Sequence, residues 1–312
     1  MENLLLGFNI IFPIFFIIFI GFYLKKIHMI SENFISAGSD FIFKIVLPAK
    51  LIIDIKDADI SGLNISYVLY VCIGVCAIFS LSWIGGRIFI KDNAKLATFV
   101  HCSYRSNFVY IGVPLLELIY KEPAMDAVIV VLVFGLTLFN ILATIVLTYY
   151  SGKKLNPIDF IIKIIKNPMI IGIFIGIILK VTKFPLYEGI ESGLFTLGKM
   201  ATPMSLILIG GSLNFSKSRM SDSKLIATCV LIKDAIGAII LVPIAMLLGF
   251  STSYIVVSFI LFTCPCAANC FIMTKSMGGD GELASIIVTM SFALSIFTFT
   301  IGIAILKSIG II

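Results

Sequence analysis

PIFFIIFIGFYLKKIHMISENFISAGSDFIFKIVLPAKL, residues 13–51, returns as PMIIGIFIGIILKVTKFPLYEGIESGLFTLGKMATPMSL at residues 168–206. The offset is 168 − 13 = 155, and twelve of the thirty-nine positions are identical without a gap. Matches among Ile, Leu and Phe come easily in so apolar a chain. The pairs Pro13/Pro168, Pro48/Pro203, Gly21/Gly176, Gly38/Gly193, Lys25/Lys180 and Lys44/Lys199 do not. The chain reads as a duplicated membrane unit, and duplicated halves are a signature of secondary transporters.

Composition sets the solvent. The 312 residues are 60% hydrophobic and 13% charged, with mean hydropathy +1.13. A soluble domain carries about 25% charge, so this chain lacks the polar surface to cover itself in water. The first apolar stretch, Leu4 to Leu24, is too long for a signal h-region and has no small-residue cleavage site, so it reads as a spanning helix. About 20 apolar residues cross the hydrocarbon core. That length predicts ten spans: 4–24, 34–54, 66–90, 96–119, 126–150, 167–182, 192–213, 225–249, 254–275 and 284–306. Five precede the polar linker 152–166 and five follow it, giving repeats over 1–151 and 167–312. An odd number of spans per copy inserts the second copy upside down, so the repeats are inverted. The expected fold is all-α and integral to the membrane.

Orientation follows from basic residues, because cytoplasmic loops retain Lys and Arg. The loops after spans one, three, five, seven and nine hold thirteen of them, from Lys25 to Lys275; the opposite face holds five. The first face is therefore expected in the cytoplasm, with both termini outside, in the plasma or inner cell membrane. The same bias accounts for the net charge of +6 without a nucleic-acid partner.

The chemistry concentrates in spans four and nine. Span four reads Arg105-Ser106-Asn107-Phe108-Val109-Tyr110-Ile111-Gly112-Val113-Pro114, and span nine reads Thr263-Cys264-Pro265-Cys266-Ala267-Ala268-Asn269-Cys270. Each is the fourth span of its half, and each interrupts an apolar run with proline beside asparagine or glycine. Proline removes a backbone donor and displaces the carbonyl four residues back. The freed groups cannot face lipid, but they can line a wet cavity. Two such segments meeting near the midplane would aim half-helix ends at an anion. Arg105, Asn107, Tyr110, Gly112 and Pro114, with Thr263, Cys264, Pro265 and Asn269, are thus the candidate substrate-binding residues. A proline taken singly has the plainer reading of a kink, which also covers Pro13, Pro48, Pro168, Pro203 and Pro243.

These motifs resemble the auxin efflux carrier family, which includes the plant PIN exporters and many bacterial permeases. The resemblance runs over Leu47-Pro48-Ala49, Asn107 with Gly112-Val113-Pro114-Leu115, Thr202-Pro203-Met204-Ser205-Leu206 with Gly210-Gly211-Ser212-Leu213, and Pro265 with Phe271 and Lys275. It implies ten helices in two inverted repeats. It also implies a scaffold of helices 1, 2, 6 and 7 beside a transport unit of helices 3–5 and 8–10. Broken helices 4 and 9 would cross at the substrate site, and the protein would be a homodimer. Plant members export auxin; bacterial relatives are associated with organic acids such as malate and malonate. The long cytoplasmic loop of the plant exporters is absent, which puts an indole substrate in doubt.

Intramembrane charges are expensive and usually have a partner or a task. Arg105 could clamp a carboxylate with two parallel hydrogen bonds, cap loosened carbonyls, or pair with an acid. Asp40 lies four residues before Lys44, at helical pairing distance, and predicts a buried ion pair. Its repeat mate Lys199 has no acid within a turn. Asp234, beside Lys233 in span eight, is a candidate proton-coupling group, and Lys50 is placed to snorkel. The cysteines, Cys72, Cys76, Cys102, Cys229, Cys264, Cys266 and Cys270, all fall in predicted spans and suggest no disulfide framework. Cys264, Cys266 and Cys270 cluster with no histidine nearby in sequence, so no metal and no cofactor is expected. His28 and His101 form no enzyme-like motif, so no enzyme is expected. The working expectation is a carrier of a small organic anion, with a channel or a transporter-like nutrient sensor as alternatives. A channel would often show a repeated filter or charged rings, and none is visible.

Overall fold

The computed structural model describes residues 2–57, 64–119, 125–151, 162, 166, 168–213, 222–267 and 270–312. Among these the backbone is helical or in short turns, with no strand. Helix α1 spans Glu2–Lys26. Helix α2, Glu32–Phe41, starts where the Ser31 hydroxyl accepts the Phe34 N–H. It continues through a wide π turn, Ile42–Val46, into α3, Leu47–Asp57. Pro48 explains the widening: it has no N–H to offer the Lys44 carbonyl, and the ladder loosens there. After α4, Ile65–Phe89, Asp92 caps α5, Asn93–Tyr104, by accepting the Lys95 N–H. A π turn, Phe108–Gly112, leads into α6, Val113–Ile119. Helix α7, Met125–Val130, passes through a π turn, Val131–Gly135, into α8, Leu136–Ser151.

The second half begins with α9, Pro168–Thr182, then α10, Glu188–Lys199, and α11, Ala201–Ser212. Pro203 withholds a donor from the Lys199 carbonyl as Pro48 does from Lys44, and α10 ends at that lysine. Helix α12, Ser223–Leu231, runs through a π turn, Ile232–Ile236, into α13, Gly237–Leu247. The remaining helices are α14, Thr252–Thr263, α15, Cys270–Ser276, and α16, Gly281–Ser308, which Asp280 caps through the Leu283 N–H.

Among the described residues six helical stretches are long and apolar enough to cross a membrane: Gly7–Lys26, Ile65–Phe89, Met125–Ser151, Glu188–Ser212, Ser223–Leu247 and Gly281–Ser308. They match six of the ten predicted spans. The other four fall short for separate reasons. The stretch Glu32–Asp57 carries Asp40, Lys44, Lys50 and Asp54. The fourth and ninth are interrupted, leaving apolar pieces Phe108–Ile119 and Thr252–Thr263. The sixth is the 15-residue α9, about 22 Å long at 1.5 Å per residue against a core of about 30 Å. Large apolar side chains stand exposed all over the surface, among them Phe19, Ile88 and Leu247 at 62%, 82% and 86%. Lipid, not water, is the medium that tolerates them.

The chain divides into two compact units. The smaller holds 14–64 and 156–212. In it the duplication is visible as packing. Gly21 of α1 lies so close to α11 that a Cβ there would overlap the Ile207 carbonyl. Gly176 of α9 faces α3, where a Cβ would sit 3.1 Å from the Ile52 oxygen. The two contacts are repeat mates, since 21 + 155 = 176 and 52 + 155 = 207. Close approach through small residues is how membrane helices gain packing without a hydrophobic drive. At one end of this unit Lys56 bridges Asp57 at 2.8 Å and Glu191 at 2.9 Å. The Asp40–Lys44 ion pair forms at 2.6 Å, but on side chains 66% and 57% exposed, so the expectation of a buried pair is corrected. Neither side chain faces the packed interior of α2. Lys50 does not simply snorkel: it pairs with Asp54 at 3.0 Å.

The larger unit holds 1–13, 65–155 and 213–312. Its centre is two helices buried on every side, α5 from Leu96 to Tyr104 and α14 from Ile255 to Thr263. A helix buried all round belongs to the middle of a bundle. Both end abruptly in mid-unit.

Candidate functional site

The two central helices stop facing each other. Arg105 leaves α5 extended, at φ −79° and ψ 108°, and Cys264 leaves α14 at φ −50° and ψ 137°. Ser106 and Cys266 then lie side by side in one antiparallel pairing. The Asn107 N–H donates to the Pro265 carbonyl at 2.9 Å, and the Ala267 N–H donates to the Arg105 carbonyl at 3.1 Å. Each break thereby satisfies backbone groups that the other leaves open.

Side chains around the pairing are buried and under-partnered. Asn107 is 2% exposed, and among the described residues its Nδ2 has no hydrogen-bond partner. The same holds for Thr263 Oγ1 and Asp234 Oδ2, while Ser106 Oγ has only the Cys264 thiol beside it. Buried polar groups without partners are rare and each cost about 1–3 kcal/mol; of the five such side chains among the described residues, Ser106, Asn107 and Thr263 lie at the two breaks, while Ser82 and Asp234 lie elsewhere. Arg105 is 8% exposed. Its NH2 donates to Asn140 Oδ1 at 2.9 Å and its NH1 to Met273 Sδ at 3.2 Å, with His101 Nε2 at 3.4 Å. Among the described residues it has no acidic partner: neutral atoms hold a buried positive charge. Asp234, fully buried, accepts from the Ser291 hydroxyl at 2.6 Å, and that hydroxyl accepts the Cys266 N–H at 2.8 Å. A carboxylate is thus wired to the backbone of the second break.

A family model described as membrane transport protein matches residues 7–159 and again residues 154–303. The chain belongs to that family. It is the auxin efflux carrier family that the proline and glycine motifs resemble. The matched stretches also put the protein in a lipid bilayer with several passes and give it a small-molecule substrate. None of the curated proteins compared with it matches this transporter.

The transporter brings most of the sequence candidates together. Arg105, Asn107, Thr263, Cys264 and Pro265 gather at the pairing. Gly112 stands in the π turn after it, where a Cβ would come within 2.7 Å of the Phe108 ring and 3.1 Å of Ile260. Pro114 is the second residue after that π turn, as Pro48 is after its own, and withholds a donor from the Tyr110 carbonyl inside the continuous helix Phe108–Ile119. The break it announces lies upstream at residues 105–107. Tyr110 is half-buried in the same π turn. Asn269 lies outside the described residues. Lys199, Asp40 and Lys44 belong to the smaller unit, not to the pairing; Lys199 sits over the Phe195 ring at 4.3 Å. Two residues escaped sequence reading. Asn140 is the one amide in the apolar run 126–150, and a lone amide in a span is a usable signal. Ser291 looks like any small helix-packing residue and gave none.

Proposed function

We propose that this protein is a secondary transporter that moves a small organic anion, a mono- or dicarboxylate of auxin-like or malate-like chemistry, by alternating access. One observation carries the reading: among the described residues Arg105 presents a buried guanidinium with no acidic partner, and the side-chain nitrogen of nearby Asn107 has no partner. A planar fork of donors matches a carboxylate bidentately, and a buried cation lacking a counter-ion gains most from an anionic one. Asn107 orients the ligand, together with Thr263 and, in this reading, Asn269. Asp234, with one oxygen unpartnered among the described residues and the other tied through Ser291 to Cys266, is the group whose charge state couples to the second break.

The reading has ten passages in two inverted five-helix repeats, 1–151 and 167–312, joined by a cytoplasmic linker. Helices 1, 2, 6 and 7 act as scaffold, helices 3–5 and 8–10 carry the substrate past it, and the termini lie outside. The smaller compact unit, 14–64 with 156–212, contains most of those scaffold spans, and the paired breaks lie wholly in the larger one. Homodimer formation follows the family pattern.

Counterflow of radiolabelled mono- and dicarboxylates in proteoliposomes tests this. Saturable counterflow is expected from the wild type, none from Asn107→Ala, and a deep loss from Arg105→Lys, because a point charge cannot replace the fork. Ohmic current instead of counterflow would make it a channel. Arg105→Lys and Arg105→Ala transporting alike would reduce the arginine to a structural role.

A further inference from the structure

We propose that Cys102, Cys266 and Cys270 bind one thiophilic d10 metal ion, of the copper(I) class, and so staple the two broken segments together. The three sulfur atoms lie within 4.8 Å of one another, and all three residues are 0% exposed. Cys264, which neighbours the other two in sequence, is not part of the cluster; its place is taken by Cys102, 164 residues away from Cys266 by 266 − 102. Cys102 lies in the last turn of the first central helix, Cys266 stands in the pairing itself, and Cys270 opens α15. One ion would therefore tie both breaks at a single point.

Ligand chemistry selects the ion. No carboxylate oxygen joins the cluster among the described residues, so hard cations such as magnesium or calcium find no ligands there. Three sulfurs suit soft d10 ions. With metal–sulfur bonds of about 2.3 Å, a trigonal site needs sulfurs about 4.0 Å apart. Side-chain shifts below about 1 Å reach that from a 4.8 Å upper limit. Among the described residues the cluster holds three sulfurs and no fourth ligand, with His101 beside Cys270 but outside it; that set fits trigonal copper(I) better than tetrahedral zinc. Binding replaces three S–H bonds by three metal–sulfur bonds and releases up to three protons to solvent. The Lys233 ammonium is within electrostatic range of Cys266 and Cys270, and Arg105 stands three residues beyond Cys102; both cations offset the thiolate charge. The backbone of Cys266 is already fixed by Ser291, so one ligand is preorganised. The inference does not depend on the substrate reading.

The test uses full-length protein in detergent, reduced and freed of metal, with Cys72 and Cys76 replaced by Ala to remove the other cysteine pair. Copper(I) alone is titrated against a chromophoric competitor. One equivalent per chain is expected, with thiolate-to-metal charge-transfer absorbance. Cys102→Ser, Cys266→Ser and Cys270→Ser should each weaken binding by more than about a hundredfold, the upper end of what even outer-shell changes cost. X-ray absorption of the complex should show three sulfur neighbours, which keeps the test decisive should a variant fail to fold. No uptake at one equivalent, uptake indifferent to all three substitutions, or nitrogen and oxygen neighbours would overturn the site. Equally tight zinc binding that is lost in His101→Ala would overturn the trigonal copper(I) assignment.

Discussion

Asn140 gives the sharpest handle on Arg105, because two substitutions there separate holding the arginine from neutralising it. Asn140 Oδ1 accepts from the Arg105 NH2 at 2.9 Å, and no acid competes for the guanidinium among the described residues. Asn140→Ala strands a buried charged donor. Hydrogen bonds to charged groups are worth about 1.5–3 kcal/mol, so the melting midpoint should fall by roughly 3–12 °C. Uptake below saturation should drop about ten- to a hundredfold, at 1.4 kcal/mol per factor of ten, as the fork loses its aim. Asn140→Asp does the reverse to stability: it keeps the acceptor and adds the missing counter-ion, so the fold should melt no earlier than wild type. Its transport of a carboxylate should nonetheless disappear, because the internal carboxylate occupies the arginine. The assays are a thermal melt of purified protein and counterflow in proteoliposomes, run on the same preparations. Wild-type counterflow from Asn140→Asp would refute the assignment of Arg105 as the anion's partner. A wild-type melt from Asn140→Ala would refute the hydrogen bond's weight.

Ser291→Ala leaves the Cys266 N–H and one Asp234 oxygen without their partner, and should cost about 2 kcal/mol in a denaturation assay; Ser291→Thr should recover most of it. Gly21→Leu and Gly176→Leu drive side chains into the Ile207 and Ile52 backbones, and each should lose about 1–3 kcal/mol or more. Although the contacts are repeat mates, Gly21 meets backbone far more closely than Gly176 does, so thermal melts should show the larger loss for Gly21→Leu. Lys56→Met should lose under about 1 kcal/mol, as exposed pairs do. Hydrogen bonds to Asp57 and Glu191 raise the Lys56 ammonium above its ordinary 10.5. The difference between wild type and variant should therefore be complete below pH 10.5 and vanish as pH rises through the higher folded-state value.

Periodic and local features were readable from the sequence; cross-chain ones were not. The duplication was legible because paired Pro, Gly and Lys recur at an offset of 155 residues, and Pro48 and Pro203 each withhold a donor from a lysine carbonyl four residues back, so the damage is local. The breaks were legible for the same reason, though Pro114 pointed several residues too late: it loosens the helix Phe108–Ile119 from within, and the gap lies upstream at residues 105–107. The ten-span count exceeded the six stretches that are unambiguous by length, because charge along Glu32–Asp57 and interruption in the fourth and ninth segments blunt a measure based on unbroken apolar runs. The neutral setting of Arg105 was invisible, since Asn140 arrives from thirty-five residues away. The sulfur cluster was misassigned likewise: proximity in sequence favoured Cys264, while folding chose Cys102. The exposed Asp40–Lys44 pair shows that spacing predicts a pairing but not which way it faces.

The reciprocal backbone bonds between residues 105–107 and 265–267 set a condition on biogenesis. When the ribosome has delivered Asn107, its eventual acceptor is still 265 − 107 = 158 residues from being made. At about 5–20 residues per second the nascent chain waits roughly 8–30 s with that gap open. The first half must be sheltered by the insertion machinery for that interval, and translating it alone should yield a product that proteases clear.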